Sequence, residues 1–203
     1  MKEKHRLKIL SVADAVCPSL LDPVGGAPPI DNIDLVLSCG DLPPEYLTSL
    51  RHRYDAPLLY VRGNHDLRYA QSPPKGCEPL HRRLVVKKGV RIIGFDGSRW
   101  YNGGVNQYIE KYMARFIRRM RFQIWRHRGV DLVVTHAPPR FVGDAEDPCH
   151  RGFRVFLNLI ERYQPKIFIH GHIHALFNDD SERITMIHST SVVNSYGFYV
   201  FKI

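Results

Sequence analysis

At 203 residues the chain is long enough to bury one full hydrophobic core, so a single domain over residues 1–203 is expected. With 44% hydrophobic and 24% charged residues it reads as an ordinary soluble globular protein, and its four scattered cysteines (Cys17, Cys39, Cys77, Cys149) argue against a zinc ribbon or a disulfide framework. The formal net charge of +9 favours anionic partners, whether phosphates, nucleic acid or a membrane surface, without choosing among them.

The start is basic, but the apolar stretch behind it is broken by Asp14 too early for a signal peptide or a membrane span. A cytoplasmic location is expected. Residues 7–13 read as a short apolar strand delivering Asp14. Residues 16–33 hold too many prolines and glycines for helix or central strand, among them Pro18, Pro23, Gly25, Gly26, Pro28 and Pro29. A second strand, 33–39, runs into Gly40-Asp41. Pro43-Pro44-Glu45 predicts a helix start, with Leu47 and Leu50 as its apolar positions. The third strand, 57–61, stops abruptly at Gly63-Asn64-His65-Asp66, and no core needs that run of polar groups behind a buried strand.

Residues 67–79 read as irregular, and 84–87 with 90–95 as a hairpin around Lys88-Gly89. Residues 98–106 form a polar loop containing Arg99, Trp100, Tyr101 and Asn102. Ile109, Tyr112, Met113, Phe116, Ile117 and Met120 then make one apolar stripe of a basic helix that Gly129 stops. It is read as a surface helix packed on a sheet; binding of membrane or nucleic acid is the alternative. A strand at 130–135 ends in His136, whose following prolines forbid helix. After a loop holding His150 and Arg151 come a helix at 153–163 and a strand at 166–169 that ends in His170-Gly171-His172-Ile173-His174. Residues 183–187 and 198–203 read as closing strands. Alternating strands and helices with an all-strand tail predict α/β with helices covering the sheets.

Five strand ends thus deliver Asp14, Asp41, Asn64, His136, His172 and His174: two carboxylates, one amide oxygen and three imidazoles. That mixed set suits manganese, iron or zinc and is too rich in nitrogen for a calcium or magnesium cage. Each residue alone has an ordinary structural explanation as a helix cap or a satisfied core group; His5, His52, His81, His127, His170 and His188 are read that way.

Gly40-Asp41, Gly63-Asn64-His65-Asp66, Thr135-His136-Ala137-Pro138 and Gly171-His172-Ile173-His174 resemble, in order and spacing, the motifs of the calcineurin-like metallophosphoesterases, as a single-domain bacterial-type member. The resemblance implies a four-layer αββα sandwich with two mixed β-sheets and a two-metal site, manganese being the expected metal. It implies that Asp41 bridges the metals, that Asn64, His136 and His172 complete one site, and that Asp14 and His174 serve the other. His65 would act as acid near the leaving group, with Asp66 orienting it. The implied reaction is hydrolysis of a phosphodiester or phosphomonoester by a metal-activated hydroxide. Arg99, Tyr101, His150 and Arg151 are candidate substrate contacts.

One position departs from the pattern. The family's first motif is Asp-x-His, and Val16 stands where the histidine belongs. The Asp14 side therefore lacks a ligand that water, Cys17 or Asp22 would have to replace, and weak metal binding is expected there. This loss keeps an interaction or scaffold module open as an alternative function, since the fold alone does not dictate activity. The net charge and the arginine-rich helix keep a nuclease or nucleic-acid binder open as well.

Overall fold

The computed structural model describes residues 6–22 and 29–203; the first five residues and most of the proline- and glycine-rich stretch, 23–28, lie outside the described residues. In chain order the elements are β1 (Lys8–Ala13), β2 (Leu35–Ser38), α1 (Pro44–Tyr54), β3 (Leu58–Tyr60), β4 (Glu78–Pro79), β5 (Leu84–Lys87), β6 (Val90–Phe95), β7 (Ser98–Arg99) and β8 (Gln107–Tyr108). They continue with α2 (Glu110–Arg126), β9 (Leu132–Thr135), α3 (Arg154–Tyr163), β10 (Ile167–His170), β11 (Ile184–Ile187), β12 (Thr190–Asn194) and β13 (Gly197–Lys202).

Two large sheets result. One has the order β13-β1-β2-β3-β4, the other β11-β12-β10-β9-β6-β5; β7 and β8 pair apart from both. Strands β1 to β4 run parallel, with β13 antiparallel at the edge. In the second sheet β6, β9, β10 and β12 are parallel, while β5 and β11 close the two edges antiparallel.

Neighbouring side chains on a strand point to opposite faces, so a strand buried on both faces must be apolar throughout. Here the alternation sorts residues into three separate cores. Ile9, Leu35, Leu37, Leu59 and Val61 meet Ile92, Leu132, Val134, Ile169 and Val193 between the two sheets. Leu10, Val36 and Leu58 face the other way, onto Leu47, Leu50 and Tyr54 of α1. Ile93, Val133, Phe168 and Val192 face outward from the second sheet onto Met113, Met120 and Ile124 of α2 and Phe156, Leu159 and Ile160 of α3. The layers are helix, sheet, sheet, helices, the expected αββα sandwich.

Two details differ from the sequence reading. Strand β12 is missing from it, because Thr-Ser-Val-Val-Asn offers too little apolar pattern; the strand is held centrally by β10 and β11, and Thr190 Oγ1 donates to Pro165 O at 2.6 Å. The stripe of α2 also begins later than its periodicity suggests. Ile109 and Tyr112 are exposed, and the buried line runs Met113, Met120, Ile124, flanked by the half-buried Phe116 and Ile117. The buried line therefore starts at Met113, at the end of the first turn.

Candidate metal centre

Parallel strands carry their carboxyl ends to one edge of each sheet, and ligand sites of open α/β sheets gather there. The loop after β1 presents Asp14, that after β2 Asp41, and that after β3 Asn64; β9 leads to His136 and β10 to His172 and His174. The turns are sharp. Asp14, Asp41 and His172 all sit in the left-handed region, at φ 63°, 56° and 69°. Non-glycine residues hold that conformation at a cost, and such strain clusters at functional sites. Two glycines explain how the loops approach so closely. A Cβ on Gly63 would lie 2.0 Å from Asp41 Oδ1, and one on Gly171 would lie 2.5 Å from Asp14 Oδ2.

Asp41, His136 and His172 place one potential ligand atom each within 4.8 Å of the others. His136 Nε2 is 3.3 Å from Asp41 Oδ2 and 3.0 Å from Asn64 Oδ1. Its other nitrogen, Nδ1, lies 2.8 Å from the Cys39 carbonyl, which can only accept, so Nδ1 carries a proton. His172 is fixed in the opposite sense: Nε2 donates to the Cys149 carbonyl at 2.8 Å, which leaves Nδ1 with the lone pair in the neutral ring. Carbonyls that orient the far nitrogen of a ligand histidine are a regular feature of metal sites.

Asp14 and His174 form a second group beside the first. The Asp14 side chain is 1% exposed; Oδ2 accepts the His172 N–H at 2.8 Å, while Oδ1 is buried without a hydrogen bond, 3.6 Å from His174 Nε2. An ionised oxygen buried without a donor is costly unless a cation faces it. The donor set and this orphaned oxygen fit divalent cations. Val16 is 47% exposed, Asp22 is exposed, and Cys17 Sγ lies 3.7 Å from Ala15 O, so neither Cys17 nor Asp22, the two residues considered for the Val16 gap, joins a ligand cluster of described residues.

The charges of the metal-free site are coupled. Burial would raise the Asp41 carboxyl, but His136 opposite it holds it down at about 2. Burial would likewise lower His136, and the Asp41 carboxylate overrides it and holds the imidazole up at about 9. Burial pushes His172 down to about 3, which keeps it neutral. The His136 contribution to stability is therefore fully present below pH ~6.5 and lost as pH rises through about 9; the Asp41 contribution is present above ~3.8 and lost as pH falls through about 2. A cation bound through His136 would have to displace its proton. With chelator present, the melting temperature should fall from pH 6.5 to 8.5, while the stabilisation given by added manganese should grow over the same range. A manganese-induced shift that ignores pH would show that His136 binds no metal.

His65 is exposed, and its backbone N–H donates to Asp41 Oδ1 at 2.8 Å; its ring has no hydrogen-bond partner among the described residues. Asp66 does not touch that ring. Its carboxylate accepts the N–H groups of Asp41 at 2.8 Å, Leu42 at 3.1 Å and Gly63 at 2.8 Å, tying two motif loops together. Burial pushes the Asp66 carboxyl up to about 7, and the Gly63 and Asp41 N–H groups pull against that.

Of the four substrate candidates, two face the centre. Tyr101 Oη accepts from Asn64 Nδ2 at 3.3 Å, and the His150 ring lies 5.3 Å from that of His172 with its Nδ1 on Asp147 at 3.0 Å. Arg99 instead lies 3.9 Å from Glu110, and Arg151 donates to the Glu146 backbone carbonyl at 2.6 Å. The sequence reading missed the carbonyls of Cys39 and Cys149, since main-chain donors and acceptors leave no residue-type signal. It also missed Tyr196, which stacks on His174 at 4.9 Å, because it follows the unrecognised β12.

Comparison with known proteins points the same way. A family model described as calcineurin-like phosphoesterase matches residues 13–176. Among solved structures, TT1561 of Thermus thermophilus is 14% identical with a TM-score of 0.67, covering 98% of this chain and 99% of that one. A further crystal structure is 17% identical at a TM-score of 0.69, covering 98% and 95%. GAP50 of Plasmodium, described as the anchor in the inner membrane complex, is 12% identical at 0.54, covering 94% of this chain and 71% of that one. These likenesses are to the fold. No curated protein matched the sequence.

Proposed function

Because the chain belongs to the calcineurin-like phosphoesterase family, we propose that it is a metal-dependent hydrolase of a small phosphodiester or phosphomonoester, working as one cytoplasmic domain with manganese as its metal. The observation that supports this most is the convergence of Asp41, Asn64, His136 and His172, the far nitrogen of each histidine fixed by a main-chain carbonyl, beside a free His65 ring.

In this reading Asn64, His136 and His172 would hold one cation and Asp14 and His174 the other, with Asp41 shared between them. Bound there, the two cations supply Lewis-acid polarisation of a phosphoryl group and activation of water at neutral pH. The chain's own residues do the rest. Asp66 fixes the backbone under Asp41 and Gly63, so the ligands meet without reorganisation. The exposed His65 ring gives a proton to the departing oxygen, since its backbone is pinned to Asp41 while its side chain is free to reach the substrate. Tyr101 and His150 border the place where the rest of the ester would lie.

The test is hydrolysis of a chromogenic diester and monoester with manganese by wild type, His65→Ala and Val16→His. Turnover should require metal and fall about 10²- to 10⁴-fold in His65→Ala, the usual contribution of a general acid. Calorimetric titration should show one tight and one weak manganese site, with the weak one tightened in Val16→His. Two equally tight sites in wild type would refute the role given to Val16. The exposed valine at a ligand position also favours a second reading, a scaffold of the same fold. A wild type that stays silent with every metal, while Val16→His turns over, would favour it.

A further inference from the structure

The end of the molecule opposite the metal centre carries a surface that the proposed hydrolysis does not use. Helix α2 ends beside the beginning of the second sheet: Arg91 Nη1 donates to His127 O at 3.0 Å, and Asp131 N to Arg91 O at 2.9 Å. The ligand His136 follows the far end of β9, four residues or about 13 Å away. On this remote end Phe122 and Trp125 are 65% and 74% exposed, their rings 5.8 Å apart. Together with Arg121, Arg128, Arg162 and Tyr163 they line a shallow groove.

Single exposed apolar residues need no explanation; two adjacent large aromatics this open, in a basic surround, do. No acidic residue occurs between Glu110 and Asp131. Arg118, Arg119, Arg121, Arg126, Arg128 and Arg162 are all exposed, and among the described residues none of them forms an ion pair. Arg91, by contrast, is paired with Asp131 at 2.8 Å. The helix thus turns one line of residues to its sheet and presents arginines with a Phe-Trp pair to the outside.

We propose that this end of α2 is a docking surface for an anionic lipid membrane. Interfacial helices combine these two features: aromatic side chains that enter the headgroup layer, and arginines that meet lipid phosphates. Charge complementarity selects the partner. A symmetric contact with a second copy would bring the same unpaired arginines face to face, which disfavours self-association. A single-stranded polynucleotide would use the arginines, but its bases need separated ring faces. Phe122 and Trp125 lie 5.8 Å apart and tilt 35° against each other, which is not such a platform. Docking through this end would leave the metal-bearing edge facing the aqueous phase.

The experiment is co-sedimentation of the full chain with vesicles of pure phosphatidylcholine and of phosphatidylcholine containing about a third phosphatidylglycerol, at low and high salt. Wild type should bind only the anionic vesicles and release in high salt. The double variant Phe122→Ser/Trp125→Ser and the variant Arg121→Glu/Arg128→Glu should each weaken binding about tenfold or more. All substituted side chains are exposed, and unchanged melting curves would confirm that both variants fold. Trp100 and Trp125 are the only tryptophans, so in a Trp100→Phe background the emission of Trp125 should shift blue on binding. No binding to anionic vesicles, or binding that survives both variants, would overturn the proposal. So would tighter, variant-sensitive binding of a single-stranded oligonucleotide, or a dimer that the variants dissolve.

Discussion

Replacing Asp41 by Asn should abolish metal-dependent hydrolysis while leaving the chain folded. The substitution keeps the shape of the side chain and its acceptor for the His65 N–H, which lies 2.8 Å from Oδ1. What it removes is the charge. In the metal-free protein that charge holds His136 protonated at about 9, across 3.3 Å. With Asn in place, the buried imidazole should become neutral near pH 7, since burial is then opposed by much less. The metal-free protein loses one ion pair, and the chelated melting temperature should drop modestly and lose most of its pH dependence between 6.5 and 8.5. Metal binding should suffer far more. Removing one charged partner from a buried pair costs about 3–5 kcal/mol, or roughly 10² to 10⁴ in affinity. A residue that bridges two cations takes that loss at both. Manganese titration and turnover should both fall below detection, where Asn64→Ala removes only a neutral ligand and should leave weak binding. Asp41→Asn retaining wild-type turnover would refute the bridging role and the ligand assignment that depends on it.

The sequence carried the fold well where apolar runs were long and closed by glycine. β1, β2, β3, β9 and β10 all lie within one or two residues of the expected spans, because a strand buried on both faces must be continuously apolar and has few other readings. β12 failed that test, with threonine, serine and asparagine in a central strand whose burial is decided by its neighbours. At the metal centre the side chains were legible as residue types at strand ends. Their partners were not. Which nitrogen of His136 or His172 is free depends on the carbonyls of Cys39 and Cys149, and any residue could have supplied those oxygens. Nor does a sequence show which acceptors stand near an arginine: Arg99 lies 3.9 Å from Glu110, and Arg151 donates to the Glu146 carbonyl.

Asp66 is the position where motif and structure part most clearly, and it carries the largest expected loss of stability. Beside His65 in sequence, it invites the role of an orienting carboxylate. In the fold it is 6% exposed and accepts three backbone N–H groups: Asp41 and Gly63 on Oδ2, Leu42 on Oδ1. Asp66→Ala would leave those donors without their protein partner, each costing about 1–3 kcal/mol where the group stays buried. A total of about 3–5 kcal/mol allows for partial relaxation, and at about 2–4 °C per kcal/mol the melting temperature should fall by roughly 6–20 °C. Asp66→Asn is the sharper test. Its one amide oxygen, at the Oδ2 position, would still accept from Asp41 and Gly63 while the NH₂ meets the Leu42 N–H, so it should lose a measurable part of the stability that Ala loses. Were Asp66 an orienter of His65, the Asn variant would instead melt near wild type and lose only turnover, with a shifted pH profile. The backbone role predicts that melting temperature, manganese affinity and turnover fall together, because Asp41 and Gly63 stand on the loops that Asp66 joins. Saturating manganese should then restore part of the melting temperature in both variants, since ligand binding stabilises whatever folded state can still hold the metal.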